Sequence, residues 1–166
     1  MNWNELFNYK DGFIFRKSNE LIAVGNRTSS GYLRTNVMGK EFRVHRIIWE
    51  MHFGEIPAGM EIDHVNGSKA DNRIENLRLA TRSQNQANQK CPQSNNKNSG
   101  LRGVAWNKRS GKWAARVYQN RKEIHLGVFK CKFEAARAAE KKRIELFGQF
   151  AGCDLHPLPG GESNPS

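Results

Sequence analysis

Cysteine is scarce in this 166-residue sequence: there are three, Cys91, Cys131 and Cys153, and no Cys-x-x-Cys pair. That spacing excludes a disulfide framework and a structural zinc site, so no zinc is expected and a reducing, cytoplasmic setting is. Long apolar runs are missing too. None approaches the roughly 20 residues that a membrane span needs, and no membrane partner is expected. The start, Met1-Asn2-Trp3-Asn4-Glu5, has no basic segment leading into an apolar core, so no secretory signal is expected. Acid is the remaining shortage: 16 Asp and Glu face 27 Lys and Arg, a net charge of +11. Each Lys or Arg that neutralises a phosphate releases counterions, so this surplus points to a polyanionic partner.

The charge is unevenly spread. Residues 1–98 carry a net +4, residues 99–150 carry +9, and residues 151–166 carry −2. Between the first two stretches, residues 91–98 are rich in turn formers and lack apolar periodicity, as a linker between domains does. Residues 151–166 contain Pro157, Pro159, Pro165 and Gly160-Gly161, and are expected to form a disordered tail.

The first forty residues read as short strands, notably Gly12 to Arg16 and Tyr32 to Val37. Val44, Ile47, Ile48 and Met51 then follow the i, i+3, i+4, i+7 spacing of an amphipathic helix, stopped by Gly54 and Pro57. Met60 to Val65 reads as a strand, Asn66-Gly67 as a tight turn, and Asn76 to Thr81 as a second strand. Ser83 is placed to cap a short helix through Asn88. In the second half, residues 103–106, 112–118 and 122–129 read as three strands, with turns at Ser110-Gly111 and Asn120-Arg121. An Ala-rich helix follows from Lys132 to Phe147, with Phe133, Ala136, Ala139, Ile144 and Phe147 as its sheet-facing stripe. The fold class is α+β in two modules.

The chemistry concentrates at Asp63-His64, Asn76 and Asn85. A carboxylate and an amide oxygen are hard donors suited to one Mg2+ or Mn2+ ion that keeps water and phosphate in its other positions. A neutral His beside them can take a proton from water near neutral pH. Together they suit phosphodiester hydrolysis.

Val44-His45-Arg46, Glu61-Ile62-Asp63-His64-Val65-Asn66-Gly67, Asp71-Asn72-Arg73, Asn76-Leu77-Arg78, Thr81 and Asn85 occur in an order that resembles the HNH homing endonucleases of phages, over roughly residues 10–90. The resemblance implies a ββα-metal nuclease module, domain 1–90 with its core at about 58–90. It makes Asp63 and Asn85 metal ligands, His64 the general base and Asn76 the amide that braces the loop bearing it. His45, Arg46 and Arg73 are candidates for support of the phosphate. The products implied are a 5′-phosphate and a 3′-hydroxyl, with nicking by a monomer as the default and a double-strand break needing dimerisation or two successive events.

A second resemblance covers residues 99–150. Arg102-Gly103-Val104, Gly111 to Ala115, Leu126-Gly127 with Phe129, and Glu134-Ala135-Ala136 are similar to the DNA-binding domain of plant ethylene-response factors (the APETALA type). It implies a three-stranded antiparallel sheet in the major groove of double-stranded DNA, with one helix packed behind. Alternation independently sends Trp113, Ala115 and Val117 to one face and Arg116 and Tyr118 to the other. Arg102, Trp106, Lys108, Arg109 and Lys112 are expected to extend the DNA face. The loop before Gly111 is one residue longer than the plant pattern and His125 stands where Trp is usual, so base specificity does not carry over. The alternatives are a non-catalytic DNA-binding regulator with a vestigial nuclease half, and an RNA-directed or structure-specific nuclease.

Overall fold

Weak alternation broken by glycine turns makes the first forty residues a series of hairpins. The computed structural model describes residues 1–89 and 98–152. A single helical turn, α1 (Trp3–Leu6), leads into β1 (Phe7–Lys10), β2 (Phe13–Arg16) and β3 (Asn19–Val24), paired in the order β1-β2-β3. Strands β4 (Asn26–Arg27), β5 (Leu33–Val37) and β6 (Lys40–Arg43) form a second antiparallel sheet. The strands expected around residues 12–16 and 32–37 are β2 and β5. Helix α2 (Val44–Phe53) buries Val44, Ile47 and Ile48 and half-buries Met51, the stripe read from the sequence. Gly54 ends it with φ +82° and an N–H bonded to Glu50 O. These residues share one core with Trp3, Phe7, Ile14, Val37, Ile62 and Leu77. Each such side chain contributes about 1.5–3 kcal/mol when fully buried.

Two further strands, β7 (Met60–His64) and β8 (Leu77–Thr81), pair antiparallel with Asp63 opposite Arg78 and His64 opposite Leu77. Asn76 lies in a 3-10 turn rather than at the start of the strand, because its side chain is spent on the loop before it. Helix α3 (Arg82–Ala87) follows, giving the order strand, strand, helix. Ser83 is inside that helix and does not cap it. Thr81 does: its Oγ1 accepts the Gln84 N–H at 3.3 Å and Gln84 Oε1 accepts the Thr81 N–H at 2.8 Å. The reciprocal Thr-x-x-Gln box outcompetes a lone serine.

The chain divides into two compact units, Met1–Asn85 and Gln86–Ser166. Except for Asn98, the stretch expected to be a linker lies outside the described residues, as does the expected tail beyond Gly152. In the second unit β9 (Val104–Asn107), β10 (Lys112–Gln119) and β11 (Lys122–Phe129) form an antiparallel sheet in the order β11-β10-β9, against which α4 (Lys132–Phe147) packs. Its core is made of small side chains: Val104, Ala115, Val117, Ala135, Ala136 and Ala139, closed by Phe147. Ile144 is not in it, being 56% exposed, and Phe133 is only half-buried. The buried positions run 135/136, 139, 143 and 147, so the sheet-facing stripe takes Arg143, whose guanidinium donates to Arg102 O at 3.4 Å. Gly103, at φ +74°, permits a close crossing of β10: an added Cβ would sit 2.6 Å from Arg116 O.

Candidate active site

Alternation along β7 divides its side chains between two environments. Ile62 enters the apolar core, and His64 turns toward α2, where its ring centroid lies 5.0 Å from that of His45 and 5.9 Å from that of Tyr32. His64 is buried, and its Nε2 lies 2.9 Å from Asn72 Oδ1. With the amide oxygen accepting, Nε2 carries the ring hydrogen and Nδ1 is the basic atom. Burial holds the His64 pKa below its ordinary value, opposed by the Asn72 hydrogen bond and the charges of Asp63 and Asp71. The ring is therefore neutral and able to accept a proton at pH 7. His45 is more extreme: desolvation, the neighbouring His64 and the charges of Arg43 and Arg46 lower its pKa to about 3.

The loop between β7 and β8 is held by its own amides. Asn76 Nδ2 donates to Asp71 O at 2.7 Å and its Oδ1 accepts the Asn66 N–H at 2.9 Å. Asn66 Nδ2 donates to Asp71 Oδ2 at 2.8 Å, and the Gly67 N–H, at φ +73°, bonds His64 O at 2.8 Å. From the core side, Tyr9 OH accepts the Ile74 N–H at 3.0 Å. Arg73 is engaged by Asp71 through Nε at 2.9 Å and Nη2 at 2.8 Å, which pulls the Asp71 carboxyl far below the usual range. Arg46 is exposed on α2.

The other side of β7 is acidic. Glu61 and Asp63 alternate onto it, and Asn85 on α3 donates through Nδ2 to Glu61 Oε2 at 2.5 Å. Arg78, the cross-strand neighbour of Asp63, approaches its Oδ2 with Nε at 2.9 Å and Nη2 at 2.8 Å. Among the described residues no three His, Cys, Asp or Glu side chains converge. A set of two carboxylates and one amide instead fits a hard divalent ion of the Mg2+ type, which uses few protein ligands and keeps its waters.

In the second unit, Arg116 and Tyr118 project from the face of β10 opposite the helix, as alternation requires. Both hold Glu123 on β11, Arg116 at 3.3 Å and Tyr118 through a short hydrogen bond. Lys108 and Arg109 are exposed in the turn before β10, where Asn107 Oδ1 accepts two backbone N–H groups, and Lys112 opens β10 on the Arg116 side. Trp106 and Arg102 do not extend that face. Trp106 pairs with Trp113, so it lies on the helix side of the sheet, with ring centroids 4.9 Å apart. Arg102 donates to Gln86 O at 3.2 Å and Ala87 O at 2.8 Å, ending as a chain tie.

The sequence alone assigns no catalytic role to Asn72, Glu61, Arg78 or Tyr32. The two-residue spacing from Glu61 to Asp63 was a usable signal for a shared strand face. Asn72, Arg78 and Tyr32 depend on loop course and strand register, for which a single sequence carries no marker.

Residues 42–87 match a family described as HNH endonuclease, a stretch that contains His45, Asp63, His64, Asn76 and Asn85. Protein 3.8 of Escherichia phage T7 is 38% identical over 109 residues, which are 66% of this chain and 88% of that protein. A protein of Acanthamoeba polyphaga mimivirus, named as an uncharacterized HNH endonuclease, is 34% identical over 123 residues, 74% of this chain and 62% of that protein. Among solved structures, the HNH homing endonuclease I-HmuI, in a study of its DNA binding and cleavage, shares 31% identity, with 48% of each chain covered and a TM-score of 0.40.

Proposed function

We propose, since this chain belongs to the HNH endonuclease family, that it hydrolyses phosphodiester bonds of duplex DNA with His64 as general base. The observation that carries this reading is the buried His64, whose Nε2 lies 2.9 Å from Asn72 Oδ1 and whose ring packs beside that of His45. In the reaction, water attacks phosphorus and gives its proton to His64, while the bond from phosphorus to the 3′ oxygen breaks and that oxygen takes a proton from solvent. The products are a 5′-phosphate and a 3′-hydroxyl. Asn76 keeps the loop that bears His64 in place, so the base meets its substrate in one orientation.

Asp63 and Asn85, with Glu61 beside them, would hold one Mg2+ or Mn2+ ion. Such an ion supplies Lewis-acid stabilisation of the charge that grows on the phosphate and leaving oxygens. Arg78 keeps the Asp63 carboxylate oriented and neutralises its charge. The basic sheet of residues 99–150 adds affinity and position on the duplex through Lys108, Arg109, Lys112, Arg116 and Tyr118, in a protein that acts as a monomer and nicks one strand per encounter. It follows the plant-type arrangement, with β10 facing the major groove.

The test is incubation of the purified chain with supercoiled plasmid and Mg2+ or Mn2+, followed by mapping of the ends. Nicks bearing 5′-phosphates, abolished by chelator, are expected. Binding without cleavage in either metal would instead identify a non-catalytic DNA-binding regulator.

A further inference from the structure

Tyr32 sits beside the histidines although general-base hydrolysis needs no tyrosine there. A closed turn delivers it. The Thr28 N–H donates to Tyr32 O at 2.8 Å, the Gly31 N–H to Thr28 O at 2.9 Å, and the Tyr32 N–H to Thr28 Oγ1 at 3.1 Å. The ring centroid is thereby fixed 5.3 Å from that of His45 and 5.9 Å from that of His64. Two cations lie against this one ring: Arg43 Cζ is 4.6 Å and Lys69 Nζ 5.0 Å from its centroid. Lys69 is also tethered, donating to Ser30 O at 3.1 Å.

The ion pairs of this unit, among the described residues, are Arg34–Glu41, Arg73–Asp71 and Arg78–Asp63, and they include neither Arg43 nor Lys69. Two like charges are thus held against one ring with neither in an ion pair. Next to them, the buried His45 has an Nδ1 with no hydrogen-bond partner. A phosphate diester that reaches both cations would be held by two charges, and an extended polyanion brings such a group with every nucleotide.

Resting on the nuclease reading above, we infer that Arg43, Lys69 and the Tyr32 ring form a seat for a DNA backbone phosphate next to His64. The seat draws the strand against the general base. The Tyr32 ring is the platform that sets the spacing of the two cations, and its hydroxyl is dispensable for that.

The experiment measures binding of the full chain to a duplex in chelator across a salt series, alongside nicking with Mg2+. Arg43→Gln and Lys69→Gln should each make the log–log salt slope shallower by roughly one unit. Tyr32→Ala should do the same, Tyr32→Phe should behave as wild type, and Arg34→Gln, which breaks an existing ion pair, should leave the slope unchanged. Thermal melting of each variant separates loss of the seat from loss of the fold. Wild-type slopes in folded Arg43→Gln and Lys69→Gln would overturn the seat, as would a wild-type chain that binds no duplex. Altered slopes with no nicking by the wild type would leave the seat standing and remove the nuclease reading instead.

Discussion

The two units solve opposite problems. The first buries polarity: His45, Asp63, His64, Asn72 and Asn76 are all buried, against a core of Ile, Val, Phe and Trp. The second buries alanine and, Arg143 apart, keeps its cations out of the core, with +9 of the net charge in residues 99–150. Chemistry needs burial, because desolvation sets which protonation state a histidine adopts and packing fixes where its lone pair points. Affinity for a polyanion needs only accessible positive charge on a rigid face, which a small and modestly stable core can supply. Substitutions in the first unit should therefore alter rate and stability, and those in the second the salt response.

The largest effect is expected at the acidic face. Asp63→Asn retains the shape but removes the charge, and should lower the nicking rate by at least about 10²-fold while raising the Mg2+ concentration required. Unchanged activity in that variant would detach the acidic face from hydrolysis.

Next comes stability. Arg78 and Asp63 form an ion pair with side chains 14% and 5% exposed, so Arg78→Ala removes the counter-charge of a buried carboxylate and should cost about 3–5 kcal/mol in denaturant unfolding. A change no greater than that of a surface substitution would mean that the pair is solvated.

His45 gives the first unit a dependence on acid. It stays neutral in the folded chain down to about pH 3, whereas in the unfolded chain it gains a proton below its ordinary 6.5. The unfolded state thus binds more protons in that window, and stability falls as pH drops from 6.5 toward 3, by up to about 1.4 kcal/mol per pH unit. His45→Phe should remove this component, read as a shallower loss of unfolding free energy with acid. An identical acid profile would place the sensitivity elsewhere.

The smallest effects belong to the second unit. Lys108→Ala and Lys112→Ala should each weaken binding to all sequences alike and reduce the salt slope by roughly one unit. A loss confined to particular sequences would turn these lysines from phosphate contacts into base readers.

Elements set by local patterning were legible in the sequence. The α2 stripe, the β7 run into Asn66-Gly67 and the alternation of β10 depend on neighbours along the chain, and the structure places them where those patterns lead. Features set by register were not. Trp106 reads as part of a basic, exposed stretch, yet its cross-strand partner is Trp113, and that pairing alone turns it to the helix side. Ile144 looks more apolar than Arg143, but the phase of α4 is fixed by Ala135, Ala136 and Ala139, which select Arg143. The same limit applies to the candidate site. Asp63, His64, Asn76 and Asn85 stand out by type and spacing, whereas Tyr32 reaches His64 only through folding of the β4–β5 turn.

On the proposed reading, a base buried in the first unit breaks DNA that both units hold. That reading is tested most directly by comparing wild type and His64→Ala in nicking of supercoiled plasmid with Mg2+ and in duplex binding at the same salt. A rate loss of at least about 10²-fold with affinity nearly unchanged is expected, because a general base acts on the transition state. Nicking by His64→Ala within about threefold of wild type, on a scale where a lost base costs at least about 10²-fold, would contradict it.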